Sequence, residues 1–72
     1  MKNTIYIGTL DRFGYELRVA SHSEEETRKA LLKDYRRAYK NRNGFYPDKE
    51  TISTVNDDMN IDEFKLNEVH WI

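Results

Sequence analysis

The stretch Ser23–Arg42, SEEETRKALLKDYRRAYKNR, constrains what this chain can fold into more than any other part of it. Its spacing predicts one long helix. Ser23 is a suitable N-cap, and Glu26 three residues later predicts the reciprocal pair of a capping box. Glu24, Glu25 and Glu26 put negative charge in the first turn, and Lys40 and Arg42 put positive charge in the last, as the helix dipole favours at each end. Glu24/Arg28 and Glu25/Lys29 are four apart in the favourable acid-first order. Gly44 is the best candidate for a left-handed terminating residue, with Asn41 and Asn43 as further stop signals. At roughly 100° per residue, Leu31, Tyr35 and Ala38 share a stripe that Thr27, Leu32 and Tyr39 widen. Such a helix has a side to bury, and the rest of the chain must supply the surface that covers it.

The flanking segments predict that surface. Residues 3–10 read as a strand, with Ile5 and Ile7 alternating against Tyr6 and Gly8. Residues 15–21 read as a second, with Tyr15, Leu17 and Val19 on one face. The connection Asp11-Arg12-Phe13-Gly14 predicts a hairpin turn ending in a left-handed glycine. After the helix, Pro47 forces a loop through Phe45-Tyr46-Pro47. Residues 48–59 suit two structures: Asp48 as a cap with Ile52, Val55 and Met59 at helical spacing favours a short helix, while Thr51–Val55 would also suit a strand. The helix is the preferred reading. Residues 61–72 read as a last strand whose phase breaks between Phe64/Leu66 and Val69/Trp71, which a bulge near Asn67-Glu68 would repair. The expected fold class is α+β: a single domain over 1–72, with a small antiparallel sheet packed on one long amphipathic helix. Ile7, Leu17, Val19, Leu31 and Tyr35 are its expected common core, with Phe64 and Trp71 also inside.

The outer face of the long helix is the main candidate site. Lys29, Lys33, Arg36, Arg37 and Lys40 fall within about 100° of one another. Lys29/Lys33, Lys33/Arg37 and Arg36/Lys40 are like-charge pairs four apart, each costing roughly 0.2–0.5 kcal/mol of helix stability. A solvated face accounts for this pattern, and so does a docking surface for an acidic partner. The net charge of −1 hides a segregation: residues 28–42 hold seven Lys/Arg against Asp34, whereas residues 48–68 hold seven Asp/Glu against Lys49 and Lys65. Aromatics are the second lead. Phe13 in the hairpin turn and Phe45-Tyr46 after the helix are expected on loops, where they either cap a small core or anchor a partner.

Evidence for other chemistry is thin. With no cysteine there is neither a disulfide nor a thiolate metal site. His22 and His70 have no neighbours at metal-ligand spacing. Asp57, Asp58, Asp62 and Glu63 match no calcium loop, so no metal or cofactor is expected. Gly8, Gly14 and Gly44 are isolated and form no phosphate-cradling loop. Ser23 beside His22 is better explained as a cap than as a nucleophile, and a chain of this size has little room to enclose a substrate. No catalytic residue is assigned and no enzyme is expected. The amino terminus MKNTIYIGTL lacks a signal-peptide pattern, and no apolar run approaches the roughly 20 residues that span a bilayer. A cytoplasmic protein without membrane contact is expected.

The order of a hairpin with a short Gly-containing turn (TIYIGTLDRFGYELRVAS), a capped helix with KALLKDYRRAYKN and a final segment ending in EVHWI resembles small accessory proteins of bacterial phages and mobile elements. The resemblance is one of pattern and size. It implies a binding protein without catalysis, since such proteins include stoichiometric inhibitors of host defence systems, anti-CRISPR proteins among them. Three function classes follow. The first is an inhibitor or adaptor that binds a host protein through Lys29, Lys33, Arg36, Arg37, Lys40, Phe13, Phe45 and Tyr46. The second is a nucleic-acid binder using the same cations on phosphates. The third is a structural protein that self-associates through an exposed edge strand.

Overall fold

A computed structural model of the chain describes residues 4–65. Strands β1 (Thr4–Arg12) and β2 (Tyr15–Ser21) are followed by helices α1 (Glu24–Asn43) and α2 (Lys49–Asp58) and by strand β3 (Asn60–Lys65). The three strands form an antiparallel sheet in the order β2-β1-β3. β2 and β3 therefore run parallel to each other on either side of β1. Joining two parallel strands requires a crossover, and the two helices supply it. The expected α+β architecture, with a long helix on the sheet and a short second helix, is the one observed.

The hairpin is tighter than the expected four-residue connection. Arg12 pairs directly with Tyr15, leaving a loop of Phe13 and Gly14, both with positive φ, 58° and 80°. Two left-handed central residues make the primed turn whose twist matches the strands it joins. Phe13 pays a steric cost for that conformation, because only glycine adopts it freely.

The register settles which face of each strand is buried. Leu10 lies opposite Leu17, and Gly8 opposite Val19 and Ile61. Directly paired residues point to the same side of a sheet. Leu17 and Val19 face the helices as expected, with Tyr15 on the same side, so Leu10 and Gly8 face them too. Ile7 pairs with Ala20 and Asp62 and lies on the opposite face, together with Ile5 and Phe64. The expected places of Ile7 and Phe64 in the core are thus corrected: Ile7 is only half-buried, and Phe64 is 45% exposed. Trp71 and the bulge at residues 67–68 lie outside the described residues.

The core consists of Leu10, Tyr15, Leu31, Tyr35, Val55 and Met59, with Leu17, Val19, Leu32, Ala38, Tyr39, Ile52 and Ile61 packed against it. Gly8 lets α1 come close. A Cβ at that position would lie 2.7 Å from Cγ2 of Thr27, which is fully buried. The Thr27 hydroxyl donates to the Ser23 carbonyl at 2.7 Å, so its methyl cannot swing away without breaking that bond.

The caps form largely as the sequence predicts. Ser23 Oγ accepts from Glu26 N at 3.0 Å, and Gly44 at φ 85° returns its N–H to the Lys40 carbonyl at 2.7 Å. The reciprocal half of the capping box is corrected: the Glu26 carboxylate takes a bond from the Ser21 hydroxyl at 3.0 Å. Asp48 caps α2 by accepting from Thr51 N at 2.8 Å. Arg28 ties the helices together, donating to the Asn56 carbonyl and side chain at 3.3 and 3.4 Å. Arg12 pairs with Asp58 at 2.8 Å, and Tyr6 donates to Glu63 at 2.9 Å. That bond to Glu63 is the main reason the Tyr6 phenol titrates above its ordinary value.

Candidate functional site: a basic groove closed by Tyr46

Lys33, Arg36, Arg37 and Lys40 are exposed on the side of α1 turned away from the sheet. The structure adds a residue to them. The chain turns back after Gly44 so that the Tyr46 ring lies under the Lys40 ammonium, 4.5 Å from its nitrogen. Together with Asn41, these five side chains line a concavity of about 480 Å³. An ammonium held against an aromatic face is attracted by the ring quadrupole, worth about 0.5–1 kcal/mol at an exposed site. The contact sets Tyr46 beside the cations at one edge of the groove.

Lys29 continues the same stripe but differs from the others, because it is ion-paired with Glu25 at 3.2 Å. The second expected pair, Glu24 with Arg28, also forms, at 3.4 Å. Among the described residues, Lys33, Arg36, Arg37 and Lys40 make no ion pair. The uncompensated charge is therefore concentrated on the last two turns of the face.

The loop aromatics do not form one patch. Phe13, Phe45 and Tyr46 are 53%, 61% and 61% exposed, so none folds back to cap the core. Only Tyr46 joins the cations. Phe45 ends an aromatic series that rises from the core: Tyr15 meets Tyr35 at 5.0 Å, Tyr35 meets Tyr39 at 5.8 Å, and Tyr39 meets Phe45 edge-on at 5.8 Å. Burial within this series raises the titration of the Tyr35 phenol above its ordinary value. Phe13 stands at the hairpin tip with the Arg12 guanidinium 5.4 Å from its ring centroid.

Two further cations have roles that were not expected from the sequence. Arg42 lies over the Tyr15 ring at 4.3 Å and donates to the carbonyls of Phe13 and Gly14 at 3.5 and 3.2 Å. It straps the hairpin turn to the end of α1 and is not part of the free basic face. Lys49 belongs to the acidic half of the sequence, yet it lines a second groove, of about 470 Å³, shared by α1 and α2. Leu32, Pro47 and Ile52 line the same groove, and Arg36 borders both concavities.

The acidic residues scatter. Asp58 is engaged by Arg12 and Glu63 by Tyr6, while Asp62 alternates to the far face of the sheet. Among the described residues, no group of three or more metal-ligating side chains converges. His22 is exposed, with Nδ1 3.4 Å from the Thr4 carbonyl; His70 lies outside the described residues. Among the described residues, no helix is long and apolar enough to cross a membrane. Comparison with protein-family models, curated proteins and solved structures returned no match.

Proposed function

We propose that this chain is a binding protein whose basic α1 face docks an acidic surface of a protein partner. One observation carries the reading: Lys33, Arg36, Arg37 and Lys40 stand exposed without an ion pair among the described residues, beside a tyrosine whose ring one of them overlies. The like-charge pairs Lys33/Arg37 and Arg36/Lys40 weaken the helix by roughly 0.2–0.5 kcal/mol each. An acidic partner turns that cost into attraction and steers the encounter. A protein fits better than a nucleic acid because the whole chain carries a net charge of −1, so its acidic residues oppose a phosphate backbone. A stoichiometric inhibitor of a host defence complex is the form of this role that agrees with the resemblance in size and pattern.

The test compares capture of a partner by the wild-type chain and by Lys33→Glu/Arg37→Glu, after circular dichroism has checked that the variant folds. The variant is expected to lose a protein partner that the wild type retains at physiological salt. Equal capture by both, at low and high salt, returns the face to a merely solvated one. Tight, steeply salt-dependent binding of generic duplex or single-stranded nucleic acid, abolished in the variant, overturns the choice of a protein.

A further inference from the structure

We infer that the α1/α2 groove takes an apolar side chain from the partner, so that the partner presents a short acidic helix with one aliphatic or aromatic anchor flanked by carboxylates. This rests on the reading of the α1 face as a docking surface and adds the chemistry of what docks there.

The groove is lined by Leu32, Pro47 and Ile52, all half-buried, so it offers apolar surface that folding has covered only in part. Arg36 borders it from α1 and Lys49 from the start of α2. Lys49 is poorly placed for its own helix. It is the first residue of α2, where the dipole favours negative charge, and it makes no ion pair among the described residues. The one carboxylate lining the groove, Asp48, is engaged in accepting from Thr51 N at 2.8 Å. Cations from two elements thus border a largely apolar slot that sets two positive charges against one carboxylate.

Arg36 also lines the groove of Lys33, Arg37 and Lys40, so the two concavities adjoin at its side chain. Along α1 the cations recur one turn apart, as Lys33/Arg37 and Arg36/Lys40. Residues four apart rise about 6 Å along a helix, so carboxylates four apart on a partner helix recur at the same interval as these cations. A helix laid along α1 could therefore meet the cations in register while one apolar residue enters the slot. A nucleic acid would bring its phosphates against Asp48 and the other acidic residues of a chain whose net charge is −1. A neutral apolar helix would leave Arg36 and Lys49 facing it unpaired.

The probe is a displayed library of randomised helical peptides about four turns long, selected on the wild-type protein at physiological salt. Enriched peptides are then measured by fluorescence anisotropy. The expected outcome is enrichment of acidic peptides with one apolar anchor, whose affinity falls by about tenfold or more when the anchor becomes Ser, and again when the protein carries Ile52→Ser. Because Ile52 also touches the core, Lys49→Glu serves as the second variant: it suits the α2 dipole, and it is expected to weaken the same peptides without lowering the melting temperature. Enrichment of acidic peptides that have no preferred anchor, ignore both groove variants and are lost with Lys33→Glu/Arg37→Glu overturns the slot while leaving the basic face standing. Enrichment without acidic residues, or of nothing, overturns both.

Discussion

Gly8→Ala tests the packing on which the whole site rests. The basic face is presented because the opposite side of α1 packs on the sheet, and Gly8 is a point where β1 and α1 come close. A methyl there would stand 2.7 Å from Thr27 Cγ2, 3.1 Å from Ile61 Cδ1 and 3.4 Å from Leu31 Cδ2. The Ile61 and Leu31 atoms are ends of flexible side chains and can yield. Thr27 cannot yield as easily, since its hydroxyl is committed to the Ser23 carbonyl at 2.7 Å and the side chain is fully buried. Overpacking of this kind costs about 1–3 kcal/mol. Replacing a strand glycine returns about 0.5–1 kcal/mol of backbone entropy. The difference of those two ranges puts the expected net loss at about 0–2.5 kcal/mol, centred near 1 kcal/mol. The mechanism is separable from a general intolerance of change, because Thr27→Ser removes the clashing methyl and keeps the hydroxyl. In that background Gly8→Ala should cost less, with a coupling of about 1 kcal/mol across the double-mutant cycle. Urea denaturation followed by far-ultraviolet circular dichroism gives all four stabilities. A double mutant whose loss equals the sum of the single losses refutes the close approach of α1 to β1.

Leu31 is fully buried, so Leu31→Ala should cost about 2–5 kcal/mol; an unchanged denaturation midpoint would reject its place in the core. Phe13 holds a left-handed φ of 58° that asparagine tolerates better, so Phe13→Asn should raise stability by about 1 kcal/mol, read as a higher urea midpoint, and a lower midpoint would contradict the turn. The Asp48 carboxyl titrates below its ordinary value, first through the Thr51 backbone N–H and then through the Thr51 side chain. A depressed folded value means that this contribution is present above the unfolded value and is lost as pH falls through the folded one. Against Asp48→Asn, whose cap does not titrate, the wild type should therefore lose relative stability as pH falls below about 4, and melting curves that stay parallel down to acid pH would remove the argument.

Much of the fold was legible in short-range pattern. Ser23, the acidic first turn and Gly44 mark α1 because capping and dipole effects act within a turn or two of the residues that cause them. Asp48 and the helical spacing of Ile52, Val55 and Met59 carried α2 for the same reason. The face of β1 was legible too, but two signals compete there. A two- or a four-residue connection alike pairs the even positions of β1 with the odd positions of β2, which turns Leu10 and Gly8 inward with Leu17 and Val19. The bulk of Ile5 and Ile7 argues the other way, and the register overrides it because one paired strand cannot be flipped without its neighbour.

The amino-acid sequence by itself determined the helix, its caps, its two chemically different sides and the segregation of charge along the chain. Those properties depend on residues three or four apart, whose geometry the helix imposes. Only the tertiary structure decided which of the charges act together. Tyr46 reaches Lys40 because the chain reverses at Gly44, and Lys49 leaves the acidic half of the sequence to stand in one groove with Arg36 because α2 packs on α1. Arg42 is withdrawn from the basic face because the hairpin turn lies within its reach. Each of these depends on where the chain returns in space, and no spacing along it encodes that.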